Sequence, residues 1–193
     1  MRKFVVAALL AGCVATPAMA QESQQFSGFR VEGLIGYDNA DIEGESSDGV
    51  TYGAGIGYDF RRGNAVFGVE GEVTDSTVDE CISGFAVTGD ELCVGAGRDL
   101  YVGGRVGAVV SPNVLLYAKA GYTNARVRLD YEDGTSGTTA DFSDGQNLDG
   151  VRLGAGAEFA VGSNAYVRTE YRYSNYEQGF DRHQAVAGFG FRF

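Results

Sequence analysis

The sequence predicts an all-β fold, an eight-stranded antiparallel up-and-down transmembrane β-barrel with short periplasmic turns and long outer loops. Three observations carry that reading. Apolar and polar residues alternate with a period of two in eight separate segments. The connections between the segments are short and long in turn, the layout of an even-stranded membrane barrel. Finally, Ala185 to Phe193 reads as a strand, with Ala185, Ala187, Phe189, Phe191 and Phe193 on one phase. A sheet in lipid must close because a free edge has no water to bond, so this strand is expected to pair with the first.

The first strand opposes Phe29, Val31, Gly33, Ile35 and Tyr37 to Arg30, Glu32, Gly36 and Asp38. The second opposes Val50, Tyr52, Ala54, Ile56, Tyr58 and Phe60 to Thr51, Gly53, Gly55, Gly57 and Asp59. The third sets Phe67, Val69 and Val73 against Glu70 and Glu72, and the fourth sets Val102, Val106, Ala108 and Val110 against Arg105 and Gly107. In the fifth, Leu116, Ala118, Ala120 and Tyr122 share one face, but Ala125, Val127 and Leu129 share the other. A bulge near Thr123 would repair that slip. The sixth places Val151, Leu153, Ala155, Ala157 and Phe159 opposite Arg152, Gly154, Gly156 and Glu158. The seventh places Val167, Thr169, Tyr171 and Tyr173 opposite Arg168, Glu170 and Arg172, and the strand that ends at Phe193 is the eighth. Tight turns (Arg61–Asn64, Ser111–Asn113, Gly162–Asn164) follow strands two, four and six, whereas long acidic segments follow one, three, five and seven.

Alternation alone does not tell a membrane barrel from a soluble one whose apolar face points inward. The polar phase, however, is crowded with glycine, as a narrow lumen requires, and it mixes charges of both signs that can pair. Aromatics on the apolar phase gather at strand ends, Tyr37 and Tyr173 at one and Phe29, Tyr58, Phe60, Phe67, Phe159, Phe191 and Phe193 at the other, like two interfacial girdles.

Residues 1–20 form a signal peptide: a basic start at Arg2 and Lys3, an apolar run shorter than the ~20 residues of a spanning helix, and a small-residue ending at Ala18 and Ala20. Leu10–Cys13 offers a rival reading as a lipoprotein cleavage site. Residues 21–193 suit one barrel domain. Loss of Arg2 and Lys3 takes the formal charge from −11 to −13, which argues against a nucleic-acid partner. Cys81 and Cys93 then remain as an even pair in an exported chain, and a disulfide between them is expected.

The run Gly104-Arg105-Val106-Gly107, the run Glu170-Tyr171-Arg172-Tyr173 and the closing Phe189, Phe191 and Phe193 resemble the small outer-membrane β-barrels of OmpA-like type, the porin-family surface antigens of alphaproteobacteria. The resemblance implies a bacterial outer-membrane location, with outer-membrane lipid and lipopolysaccharide as surroundings. It also implies that Phe189, Phe191 and Phe193 serve as a C-terminal assembly signal, read by the barrel-assembly machinery. Unlike full-length OmpA, the chain is expected to carry no periplasmic peptidoglycan-binding domain, and its cysteine-bearing loop departs from the family pattern.

The presumed luminal charges are Glu32, Glu70, Glu72, Arg105, Lys119, Arg152, Glu158, Arg168, Glu170, Arg172 and Arg192. They suit a paired, hydrogen-bonded core, because eight strands leave an interior filled by side chains; the alternative is a gated ion path. His183 has Ser174, Glu177 and Asp181 near it in sequence, but no barrel-enzyme motif surrounds it, so no catalytic residue is assigned. The glycine pairs complete no phosphate loop, the Asn39–Gly44 stretch lacks the closing glutamate of a calcium loop, and zinc lacks ligands. No cofactor or metal is therefore expected, and no external ligand is named. The reading is a non-enzymatic surface antigen for envelope integrity and surface contact, with a narrow porin or a lipid-A-modifying enzyme as alternatives.

Overall fold

The computed structural model describes residues 25–42, 45–83, 91–132 and 142–193. The signal peptide, the Leu10–Cys13 motif and parts of three outer segments lie outside the described residues. Nine strands are present among those described: β1 (Gly28–Ile42), β2 (Glu45–Arg62), β3 (Ala65–Ser76), β4 (Asp79–Ser83), β5 (Glu91–Ser111), β6 (Val114–Glu132), β7 (Phe142–Val161), β8 (Ala165–Tyr176) and β9 (Phe180–Arg192). The strands β3 and β4 both pair with β5 and share one position in the ring, so the barrel has eight staves. All neighbours are antiparallel, and β9 returns to β1 from Arg30↔Arg192 to Ile42↔Phe180, which closes the sheet. Each backbone group along this seam thereby finds a partner, as a lipid environment demands.

Gly28 shows how tight the closure is. Its φ of +115° is accessible to glycine, and a Cβ there would sit 2.2 Å from the Phe193 carbonyl oxygen. The turn end is stitched around its circumference. Asn64, Asn113 and Asn164, one in each tight turn, accept through their carbonyls from the Val109, Ala160 and Arg192 amides at 2.8, 2.9 and 2.7 Å. Phe193 completes the ring by donating to the Phe29 carbonyl at 2.8 Å.

The opposite rim carries a different repeat. Three ascending strands reach it with Tyr-x-Asn, and the following strand supplies an aspartate directly opposite the asparagine. Asp48 accepts from Tyr37 and Asn39 at 2.5 and 2.7 Å, and Asp149 from Tyr122 and Asn124 at 2.5 and 2.6 Å. Asp181 likewise accepts from Tyr173 and Asn175 at 3.2 and 2.5 Å. The fourth hairpin, β3 with β5, has Val73-Thr74-Asp75 instead; its ladder stops at Thr74↔Asp99 and resumes as β4 at Asp79↔Gly95.

Two expectations change. The long acidic segments are largely strand: β1 runs to Ile42 and β2 starts at Glu45, while the β6–β7 ladder continues to Tyr131↔Phe142, beyond the β7–β8 pairing at Gly150↔Tyr176. Past the rim neither face needs to be apolar, so the pattern fades while the hydrogen-bonded ladder persists. The bulge expected near Thr123 is also absent. β6 pairs with β7 in one unbroken register, and the nearer of two β5–β6 register shifts lies on β5 between Ala96 and Asp99, opposite Val127 and Ala125. Ala125 switches phase relative to Tyr122 because it belongs to an apolar cluster inside the barrel with Ala40, Val78, Leu148, Tyr176 and Phe180, against which Val127 packs.

Candidate functional site

The candidate site is the lumen, and alternation builds it. Along β8 the residues Tyr166, Arg168, Glu170, Arg172, Ser174 and Tyr176 point inward and are buried, whereas Val167, Thr169 and Tyr171 point outward. The luminal glycines make room for such large groups. A Cβ on Gly57 would meet the Arg30 guanidinium at 2.8 Å, one on Gly68 the Asp59 carboxylate at 2.2 Å, and one on Gly103 the Tyr101 hydroxyl at 2.1 Å.

Near the turn end, Asp59 accepts from Arg105 at 2.8 and 2.5 Å in a fork and from Arg192 at 2.7 Å, with Arg30 3.3 Å away. Glu158 shares Arg105 and Arg192, at 3.0 and 2.8 Å. In the middle, Glu72 meets Lys119, Arg168 and Arg172 at 2.8, 2.8 and 3.0 Å. Glu170 pairs with Lys119 at 2.9 Å, with Arg172, and with the Tyr117 hydroxyl at 2.6 Å. Glu70 binds Lys119 at 2.9 Å and Arg30, while Glu32 binds Arg30 at 2.7 Å and Arg168 at 3.1 Å. Higher up, Asp99 gathers Arg152, Arg182 at 3.2 Å and the Tyr176 and Thr123 hydroxyls, both at 2.7 Å, and Arg182 also binds Asp38. Lys119 additionally lies 4.5 Å over the Tyr101 ring.

Counted over the described residues, this interior holds eight cations and eight carboxylates, all buried. A neutral, mutually paired set offsets the cost of taking charge out of water. Both mouths are stoppered. Phe26, Val66 and Leu115, each 0% exposed, fill the turn end, and the cluster around Leu148, Tyr176 and Phe180 fills the other. Phe26 reaches its place through a φ of +70°, and Arg61 steadies the turn by donating to the Gln25 carbonyl at 2.9 Å.

The outer surface is the converse. Ile35, Ile56, Val69, Val102, Leu153 and Phe189 are among many large apolar side chains at least half exposed, a band that only hydrocarbon would solvate. The sequence profile of the family described as outer membrane protein beta-barrel domain matches residues 6–193. The chain belongs to that family. A 22 kDa outer membrane protein of Rhizobium leguminosarum bv. viciae is 28% identical over 200 residues, which span 93% of this chain and 83% of that one. Among solved structures, Neisserial surface protein A is similar at a TM-score of 0.60 and 18% identity, covering 86% of this chain and 98% of its own. The attachment invasion locus protein Ail of Yersinia pestis, in complex with the heparin analogue sucrose octasulfate, follows at 0.57 and 17%, covering 86% and 99%. These structures share the fold, and the family places the barrel in the bacterial outer membrane.

All eleven charges singled out from the sequence, from Glu32 to Arg192, lie in the lumen of this outer-membrane barrel. Five further members were missed. Arg30, Asp38 and Asp59 stand on the polar phase of their strands and were readable from it. Asp99 and Arg182 lie beyond the strand limits that periodicity suggested, and nothing in the pattern marks Phe26 as a stopper. Phe189 and Phe191 on β9, and Phe193 just after it, are outward and exposed, with the first two rings 5.2 Å apart edge to face. Cys81 and Cys93 are directly opposed in the β4–β5 register. His183 and Ser174 fall on opposite faces of the sheet, because Ser174 is buried against Arg152 in the lumen while His183 meets Tyr171 outside. They form no nucleophile–base couple. No group of three or more metal-ligating side chains occurs among the described residues.

Proposed function

We propose that the protein is a non-enzymatic structural barrel and surface antigen, which supports envelope integrity and presents its outer hairpins for surface contact. The neutral, paired and doubly stoppered lumen is the observation that carries this reading, since it spends the interior on stability and leaves the hairpins as the part free to make contacts. Outer-membrane lipid and lipopolysaccharide surround the band. The aromatic phase of β9 serves the barrel-assembly machinery as a recognition element, a role supported by its place on the closing strand. A disulfide links Cys81 to Cys93; opposed residues of an antiparallel pair lie within the separation that such a bond spans. The acidic hairpins favour a neutral or cationic partner over a polysulfate of the kind seen with Ail. The test is a deletion strain scored for entry of a large hydrophobic dye, together with protease shaving of intact wild-type cells. Increased dye entry and cleavage confined to the outer hairpins are expected. An unchanged barrier with protected hairpins would contradict the reading.

A further inference from the structure

We infer that residues 25–27 are a latch, a strap across the turn-end mouth that sets only after the barrel has closed and opens without unfolding it. The latch needs the fold alone, whatever the outer hairpins contact.

The strap leaves β1 at Gly28 and crosses the mouth. Around the ring the staves run β1, β2, β3, β5, β6, β7, β8, β9, so the β5–β6 turn stands opposite the β1–β9 seam. Gln25 reaches that far turn: its side-chain amide donates to Asn113 Oδ1 at 3.4 Å, and its carbonyl accepts from Arg61 at 2.9 Å. Ser27 donates to the Asp59 carbonyl at 3.3 Å. Between these ties the Phe26 ring turns into the lumen, fully buried with Val66 and Leu115, and the Arg192 guanidinium lies 5.8 Å from its centre.

The seat is assembled from separate parts of the ring. Arg61 is on β2, Val66 on β3, Leu115 on β6 and Arg192 on β9, and Phe193 after it bonds Phe29 across the seam. An open sheet does not gather these groups around one point, so Phe26 has no seat until β9 meets β1. The backbone gives a second reason for late setting. Phe26 is the one non-glycine residue at positive φ among the described residues. That conformation is costly for an L side chain and persists only where the surroundings impose it. The local chain therefore favours the released strap, and the completed seat reverses the preference.

Release leaves every ladder intact, because β1 pairs with β2 from Gly28↔Asp59 and with β9 from Arg30↔Arg192. An open latch bares the pairs of Arg192 with Asp59 and Glu158 to water from the turn end. It makes no path through the barrel, because the layer of Glu70, Glu72, Lys119, Arg168 and Glu170 lies beyond.

The sequence contains no tryptophan, so Phe26→Trp is a lone reporter of the seat. Purified protein is refolded from urea into detergent micelles and followed by gel migration of unboiled samples and by tryptophan emission. The fast-migrating band is expected first, and the blue shift with protection from acrylamide after it. In the folded barrel, adding Arg61→Ala should raise acrylamide quenching at least threefold while the fast band persists. If the indole prevents folding, Phe26→Cys with Cys81→Ser and Cys93→Ser decides. Maleimide should label its folded form at least a hundredfold more slowly than its urea-unfolded form, and pulses during refolding should lose access only after the band forms. Arg61→Ala should speed that labelling at least tenfold with the band unchanged. A reporter buried no later than the band forms, a reporter exposed in the folded barrel, or protection that Arg61→Ala leaves unaltered would each overturn the latch.

Discussion

The two faces of β8 do opposite work within the same twelve residues. Inward, Arg168, Glu170 and Arg172 share partners from β1, β3 and β6, so each depends on several others. Outward, Val167, Thr169 and Tyr171 face surroundings in which one apolar group substitutes for another. The lumen is therefore a coupled network whose members are individually costly to lose, and the outer band is an additive surface. The difference also separates what each face is for: the network holds the barrel shut, while the band and rim meet the membrane.

Breaking the network should give the largest effect. Glu170→Ala or Arg105→Ala leaves buried partners uncompensated, at a cost of about 3–5 kcal/mol, seen as a lower urea midpoint of the lipid-refolded barrel. Asp59 pairs with Arg105, so Asp59→Ala combined with Arg105→Ala should cost clearly less than the sum of the single changes. Strict additivity would show that the interior is not coupled.

Reduction of the proposed Cys81–Cys93 disulfide comes next. Chain entropy gives it at most about 3 kcal/mol, and the effect should stay in the hairpin that lacks the rim repeat. Maleimide labelling without reductant should find no free thiol in exported protein, and reduced barrel should keep its fast gel migration.

Alanine at both Phe191 and Phe193 removes two interfacial rings, each worth about 1–3 kcal/mol in lipid contact. Assembly in cells should fall more than refolding into detergent. Equal losses in the two assays would make these rings anchors alone. On the outer band, Val102→Leu should change the midpoint by no more than about 0.5 kcal/mol.

The smallest effect concerns the rim. The Tyr37 and Tyr122 hydroxyls, aided by Asn39 and Asn124, hold the Asp48 and Asp149 carboxyls below their ordinary range. A carboxyl lowered in the folded state contributes above its unfolded pKa, and the contribution fades as the pH falls toward the folded value. Amide exchange at the bases of these two hairpins, corrected for intrinsic rates, should therefore rise in acid, below the ordinary aspartate range. Replacing Asn39 and Asn124 by alanine should move that rise toward neutral pH.

The strands and their faces were legible because the membrane imposes them: Tyr171 and Arg172 must point apart, and a period of two follows. Legibility ended where that pressure ended. Beyond the apolar band no lipid enforces a pattern, so Asp99 on β5 and Arg182 on β9 read as loop although they anchor the upper pairs. The inward apolar residues Ala125 and Val127 looked like a slipped register, because a stopper inside a polar lumen inverts the usual rule. Phe26 depends on a single residue at positive φ, which no spacing announces.

A closed lumen is the central claim, and single-channel recording in planar bilayers tests it most directly. Purified barrel with verified heat-modifiable migration should leave the bilayer at its baseline current at neutral pH, because eight paired cations and carboxylates lie between two apolar stoppers. Reproducible, steady conductance steps from that same folded protein would contradict the account and identify the lumen as a path.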